Sequence, residues 1–233
     1  MGYLMIKHTS DLCLAKEELR TLLQCGALRT RAIRIRRHDY VYCTGDNDER
    51  IYLIETGQIK LTVPTLAGKE CLLNIFTVGE LFGESCLTGA GERMESAVAM
   101  EDTTLMSIHY CDLLVYLRDN ALHKQYQSII QCLATRLVEQ QQSITDFATA
   151  NSEYRLGRTL LLLGDKLGKR EPMAIRIEHN ISHEELSQIV GTTRPRVSGF
   201  IQKFRSLGLI DVTAEHFMVI KEKELANYLS ENA

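Results

Sequence analysis

Residues 181–210, ISHEELSQIVGTTRPRVSGFIQKFRSLGLI, narrow the folds open to this chain more than any other stretch. Ser182 is a preferred helix N-cap, and Glu184 and Glu185 put negative charge on the positive end of the helix it starts. Leu186, Ile189 and Val190 follow at helical spacing and need a core to face. Gly191 ends that helix, because glycine readily adopts the left-handed backbone that helix C-termini favour. Only Gly191, Thr192 and Thr193 separate it from a second helix opening at Arg194 and Pro195, where the missing proline N–H is no loss. Val197, Phe200, Ile201 and Phe204 give the second helix its buried side, and Gly208 closes it. Two short amphipathic helices across a three-residue turn pack as a helix-turn-helix. Residues 209–212 and 217–220 then read as two strands around a turn at 213–216, a wing on the same unit.

From residue 191 to 205 there are four basic residues (Arg194, Arg196, Lys203 and Arg205) and no acid, in a chain whose formal charge is −3. Proteins grip nucleic acid by neutralising phosphates with Lys and Arg, and a recognition helix sets its N-terminal residues on base edges in the major groove. Arg194 is therefore expected to make a bidentate contact to guanine. Ser182, Thr192, Thr193 and Ser198 carry short hydroxyls suited to phosphate oxygens, with Arg196 and Lys203 adding charge. An isolated basic helix face is more often simply solvated; the helix-turn-helix frame turns that reading toward double-stranded DNA.

Tyr126, Ile130, Leu133, Leu137, Gln140, Ile144 and Phe147 alternate steps of four and three, the seam of a two-stranded coiled coil. A second copy of the helix would cover it and make a homodimer; the chain's own β-domain is the other candidate cover. Gln140 is polar in that seam, where it can set register or meet a polar ligand. Between residues 32 and 108 the texture is short β-branched and apolar runs, with Gly45, Gly57, Gly68 and Gly79 recurring about every eleven or twelve residues, as in short strands joined by tight turns. Residues 12–23 read as a short amphipathic helix, and Asn151 or Ser152 caps a further helix after the seam.

Hydrophobic and charged shares of 45% and 24% are those of an ordinary globular protein. No apolar run reaches the roughly 20 residues needed to cross a bilayer, so no membrane association is expected and the expected location is the cytoplasm. Seven cysteines without a CxxC pair suit reduced thiols better than disulfides or zinc. His109 and Cys111 lack a third ligand, so no metal is assigned. No nucleophile elbow, phosphate loop or catalytic triad pattern occurs, and no catalytic residue is assigned.

The segments IYLIETGQIKL, GKE and VGELFGE are similar to the β-roll of the CRP/FNR family of bacterial regulators, and residues 181–210 resemble its helix-turn-helix. That resemblance spans nearly the whole chain and implies an α+β fold. An N-terminal helix and double-stranded, jelly-roll-like β-roll would occupy residues 1–117, a long dimerisation helix 118–150 and a winged helix-turn-helix 151–233. It implies a homodimeric, sequence-specific transcription regulator on a two-fold symmetric operator, with RNA polymerase as a partner and an unidentified small-molecule or nucleotide effector. Arg194 matches the family's base-reading arginine, while Pro195 and Gly199 stand where the family commonly has glutamate and a second arginine. In cyclic-AMP-binding members a Gly-Glu pair, here Gly83 and Glu84, takes the ribose hydroxyl, and an arginine before Ser/Thr-Ala pairs with the phosphate. Here Ser96 and Ala97 follow Glu95, a carboxylate that repels phosphate. Arg93, two residues earlier and on the same side of an extended strand, would restore a cyclic-nucleotide site if the register shifted. Gln140 and Gln141 match the place where family members reach across the dimer to their ligand. The competing reading is a ligand-binding module acting on a protein partner.

Overall fold

The computed structural model describes residues 20–22, 28–65, 70–89, 91–178, 181–214 and 217–232. It divides into two compact units, the first extending to Gln140 and the second beginning at Gln141, apart from a short segment around residue 68 grouped with the second.

Among the described residues the β-domain holds eight strands: β1 (Arg31–Ile35), β2 (Tyr40–Tyr42), β3 (Arg50–Thr56), β4 (Ile59–Pro64), β5 (Glu70–Phe76), β6 (Leu81–Phe82), β7 (Ser96–Ala99) and β8 (Thr103–His109). They form two four-stranded sheets, ordered β1-β8-β3-β6 and β2-β7-β4-β5. Every register resolved between them is antiparallel. One side chain in two points inward, and a single cluster drawn from both sheets fills the space between them: Tyr42, Tyr52, Ile54, Ile59, Leu61, Phe76, Phe82, Ala97, Ala99 and Leu105. The rings of Tyr52 and Phe82 stack with centroids 5.1 Å apart, and Ala97 and Ala99 are fully buried beside them.

The glycine periodicity has a backbone cause at three positions: Gly45, Gly57 and Gly79 all have positive φ. At Gly57 an added Cβ would also stand 2.3 Å from Thr103 Oγ1, so the β3–β4 turn admits nothing larger. Gly68 and most of the expected helix at 12–23 lie outside the described residues. A second cluster, with Ile51, Leu53, Ile108, Leu113 and Leu117, is covered by helix α1 (Tyr110–Asp119) and the start of α2 (His123–Thr149).

In the second unit, helix α3 (Ser152–Leu167) is the hub. Asn151 caps it, its side chain accepting from Tyr154 N at 2.9 Å, and Leu156, Leu160 and Leu163 are buried along it. Against it pack α4 (His183–Val190), α5 (Arg194–Ser206) and α6 (Glu222–Glu231). A sheet ordered β11-β12-β10-β9 closes the unit, made of β9 (Gly168–Arg170), β10 (Ile175–Ile177), β11 (Ile210–Val212) and β12 (Met218–Ile220). The hairpin β9–β10 and helix α6 were not read from the sequence; the strands are three residues each, too short for alternation to stand out. Among the described residues no helix is long and apolar enough to cross a membrane, and no group of three or more His, Cys, Asp or Glu side chains is placed to hold a metal.

Candidate DNA interface and effector site

Helix α4 begins with a full capping box: Ser182 Oγ accepts from Glu185 N at 3.1 Å, and Glu185 Oε2 accepts from Ser182 N at 3.0 Å. Gly191, at φ +64, turns the chain, and the N–H of Thr192 donates back to Ser187 O. Helix α5 then starts on Thr193, whose side chain makes no capping bond. Val197, Ile201 and Phe204 are its buried side. Arg194 and Arg196, about 200° apart around the axis, therefore flank the outward stripe of Pro195, Gly199, Gln202 and Ser206. Both arginines are exposed, and neither has an ion-pair or hydrogen-bond partner among the described residues. Beyond Gly199 the space is open, since an added Cβ would meet nothing within 4 Å. An open groove of about 480 Å³ continues alongside, lined by Gln202, Arg205, Asp211 and Lys221.

Three of the hydroxyl and amine groups expected on DNA are engaged elsewhere. Lys203 Nζ is held by both carboxylate oxygens of Glu153, at 2.7 and 2.9 Å, at the start of α3. Ser198 Oγ is hydrogen-bonded to His183 Nδ1 at 2.8 Å, which ties α5 to α4. Ser182 Oγ donates to Glu185 Oε2 at 2.9 Å, beside a carboxylate that repels phosphate. These groups build the helix-turn-helix: Lys203 and Ser198 tie α5 to α3 and α4, and Ser182 closes the cap of α4. Arg194, Arg196 and Thr193 remain open, and Thr192 is half-buried.

Arg155, not singled out from the sequence, joins the pieces of this unit. Its Nε donates to Val190 O at 2.9 Å and its Nη1 to Ala150 O at 2.7 Å, and its guanidinium lies 4.9 Å from the centre of the Phe147 ring. It thus serves the last carbonyls of α4 and the residue after α2 together, as cations at helix C-termini do.

In the first unit, Gly83 (φ +85) leads into a 3₁₀ turn, Glu84–Thr88. An added Cβ on Gly83 would stand 2.9 Å from Arg50 O and 3.2 Å from Arg93 Nη2. Arg93 precedes β7 instead of lying on it, and its side chain is 1% exposed. Its Nε and Nη2 donate to Asp48 Oδ2 at 3.3 and 2.8 Å, and its Nη1 donates to Gly83 O at 2.5 Å and Ser85 Oγ at 3.1 Å. Nη2 also donates to Arg50 O. All five N–H groups are occupied, so the expectation that Arg93 restores a phosphate contact is corrected: its partners are the roll itself. Burial alone would lower its pKa, yet the bonds to Asp48 outweigh that and hold it above the ordinary arginine value.

Glu95, buried, accepts from Ser85 Oγ at 2.7 Å and Tyr42 Oη at 3.1 Å. Burial, with the Glu95 charge behind it, pushes the Tyr42 hydroxyl pKa well up. Ser96 Oγ accepts from Thr44 N at 2.9 Å. Glu84 pairs with Arg136 of α2, whose guanidinium also donates to Leu81 O and lies 4.6 Å over the Phe76 ring. Arg136 was missed in sequence reading; the available signal was an arginine flanking the seam in a chain whose Gly-Glu pair lacks its usual arginine. Gln140 and Gln141 are exposed on α2.

Along α2, Ile130, Leu137 and Ile144 are 62%, 56% and 68% exposed, a stripe of large apolar side chains facing away from their own chain. Leu133 is half-buried. The seam's two ends behave differently. Tyr126 packs on the first unit's core and its hydroxyl donates to Leu114 O at 2.9 Å. Phe147 rests against Gly191, where an added Cβ would be 2.5 Å from its ring.

Residues 32–120 match the cyclic nucleotide-binding domain model, and residues 154–228 match the Crp-like helix-turn-helix domain model. The chain is 32% identical over 171 residues to a cyclic AMP receptor protein from Thermus thermophilus, covering 73% of this chain and 74% of that one. The chain belongs to the CRP/FNR family of transcription regulators. It is 26% identical over 186 residues to a CRP-like cAMP-activated global transcriptional regulator of Mycobacterium tuberculosis, covering 80% of this chain and 82% of that one. A solved CooA mutant from Carboxydothermus hydrogenoformans has the same fold, with a TM-score of 0.71 at 19% identity over 86% of this chain and 88% of that one. As a CRP/FNR regulator with a Crp-like helix-turn-helix, the protein binds DNA through the unit that carries α4 and α5.

Proposed function

We propose that this regulator acts in the cytoplasm as a homodimer joined along α2, binding a two-fold symmetric operator and contacting RNA polymerase there, with no catalytic activity of its own. The domain division proposed is 1–117, 118–150 and 151–233. Two Arg194 side chains, one from each copy, would reach bases in half-sites about one helical turn, roughly 34 Å, apart. The observation that carries the DNA reading is the pair Arg194 and Arg196, exposed and uncompensated at the start of α5 while nearby Lys203 is ion-paired within the unit. The dimer reading rests on the exposed stripe Ile130, Leu137 and Ile144.

The effector proposed is a small molecule other than cyclic AMP. Against the cyclic AMP named for two of the relatives stand three features of this chain: Glu95 stands where the family resemblance expects the phosphate-binding arginine, all of Arg93's N–H groups are engaged within the roll, and Glu84 is paired with Arg136. Control falls instead to a small molecule of another class. Selecting bound duplexes from a random pool, then measuring affinity at two salt concentrations, tests this reading. A two-fold motif and an affinity falling steeply with salt are expected; a flat response would remove DNA binding and favour a module acting on a protein partner.

A further inference from the structure

We infer that Pro195 is a specificity-determining residue of the recognition helix: its ring reads the 5-methyl group of a thymine in each half-site, close to the guanine that Arg194 reads. The inference rests on the operator reading above.

Pro195 and Gly199 lie about 40° apart around the axis of α5 and about 6 Å apart along it, one turn above the other. They form a ridge between the flanks that carry Arg194 and Arg196, and both are exposed. The ridge differs in kind from its flanks. An arginine offers five N–H donors. The proline ring offers none and has given up its backbone N–H as well, and Gly199 has no side chain. No group on this ridge before Gln202 can exchange a hydrogen bond with a base edge.

In the major groove every base pair presents donors and acceptors, and the C5-methyl of thymine stands among them as the apolar group. It is the feature of the groove floor that an aliphatic ring matches. A polar edge set against the ring would lose its water without gaining a partner, which is unfavourable. The ring is also ready for contact, since proline has no side-chain rotamer freedom to lose. Gly199 carries nothing that would hold the helix off the floor, and an added Cβ there meets nothing within 4 Å. Ser198, the neighbouring hydroxyl, is already engaged with His183 Nδ1 at 2.8 Å. From Arg194 to Gly199 the helix rises about 7.5 Å, or about two base pairs at 3.4 Å each, so the methyl falls within that distance of the Arg194 guanine.

The test uses the full chain and the operator selected from the random pool, remade with one thymine at a time replaced by deoxyuridine, which keeps the hydrogen-bonding groups of thymine and lacks the methyl. One position per half-site, within about two base pairs of the one that Arg194→Ala relaxes, should lose about 4-fold in affinity, the worth of one buried methyl-sized group. Changing both half-sites should cost about 16-fold, the product of two independent losses. Cytosine at that position should bind more weakly than thymine, and 5-methylcytosine should recover part of the loss. Pro195→Glu puts a carboxylate in the first turn of the helix, where acids are favoured. It should bind the thymine and deoxyuridine duplexes equally and shift its preference to cytosine, whose amino group a glutamate accepts from. Should Pro195→Glu not fold, the deoxyuridine and 5-methylcytosine series on wild type carries the test alone. Equal binding of wild type to every deoxyuridine duplex, a loss confined to positions far from the Arg194 base pair, or a deoxyuridine loss in Pro195→Glu as large as in wild type would each overturn the inference. A wild type that selects no duplex from the pool would remove the operator reading itself and the inference with it.

Discussion

The turn around Gly83 and the recognition helix α5 use arginine in opposite ways. Around that turn Arg93 of the β-roll is buried and Arg136 of α2 is half-buried, and each guanidinium is answered by a carboxylate and carbonyls of the same chain. On α5, Arg194 and Arg196 stand in solvent with no counter-charge among the described residues. A buried charge must be paired where it sits, so it becomes architecture; an exposed and unpaired cation keeps its attraction for an outside anion. Family resemblance alone would invite a ligand-binding role for Arg93, and the contrast in solvation is what separates it from Arg194.

The largest effect expected from breaking this contrast is at Arg93. Arg93→Ala leaves the half-buried Asp48 carboxylate with only the Tyr52 hydroxyl and removes the guanidinium from Gly83 O and Arg50 O, a change of about 3 kcal/mol in stability. Urea unfolding should show it, and a near-normal midpoint would mean the arginine is not structural. Next is Leu137→Asp, which puts a charge into the seam and should give monomers on sizing, with operator affinity lost alongside. A persistent dimer would place the interface elsewhere. Arg194→Ala should leave unfolding within about 0.5 kcal/mol of wild type yet cost roughly 1–3 kcal/mol of operator binding and relax one base position. An unchanged base preference in a repeated selection would refute its role. Gly199→Arg sharpens the same side of the comparison: a Cβ there meets nothing within 4 Å on the outward stripe of α5, and the new guanidinium should add preference at a base pair the wild type ignores.

How much of this was legible beforehand depended on whether the signal was local. The capping Ser182, the turn glycine Gly191 and the buried Val197, Ile201 and Phe204 are short-range requirements, and the structure has each where spacing placed it. Gly57 was readable for the same reason, since a positive φ is a property of one residue. What stayed hidden was pairing across long stretches of chain. Arg136 meets Glu84 from 52 residues away, Arg93 meets Asp48 from 45, and Lys203 meets Glu153 from 50. Basic residues on one helix look alike in sequence, and only the folded neighbours decide which of them is already compensated. Arg155 went unseen because the carbonyls it serves belong to backbone, which leaves no trace in residue type.

The smallest effect tests the dividing line itself, at two cations on the same flank of α5. Arg196→Ala should lower the slope of log affinity against log salt by about 1, as loss of a phosphate contact does. Lys203→Ala should leave that slope alone, because its ammonium is already held by Glu153. Its consequence lies in pH dependence instead. Burial would raise the Glu153 pKa, but the hydrogen bonds from Lys203 and Tyr228 outweigh it and hold the carboxyl below its ordinary value. A carboxyl depressed in the folded state stabilises above its unfolded pKa, and that contribution is lost as pH falls through the folded one. Lys203→Ala should therefore flatten the acid limb of the stability profile while DNA binding at neutral pH is unaffected. A salt slope that drops with Lys203 as it does with Arg196 would return Lys203 to the DNA face and erase the distinction between the two.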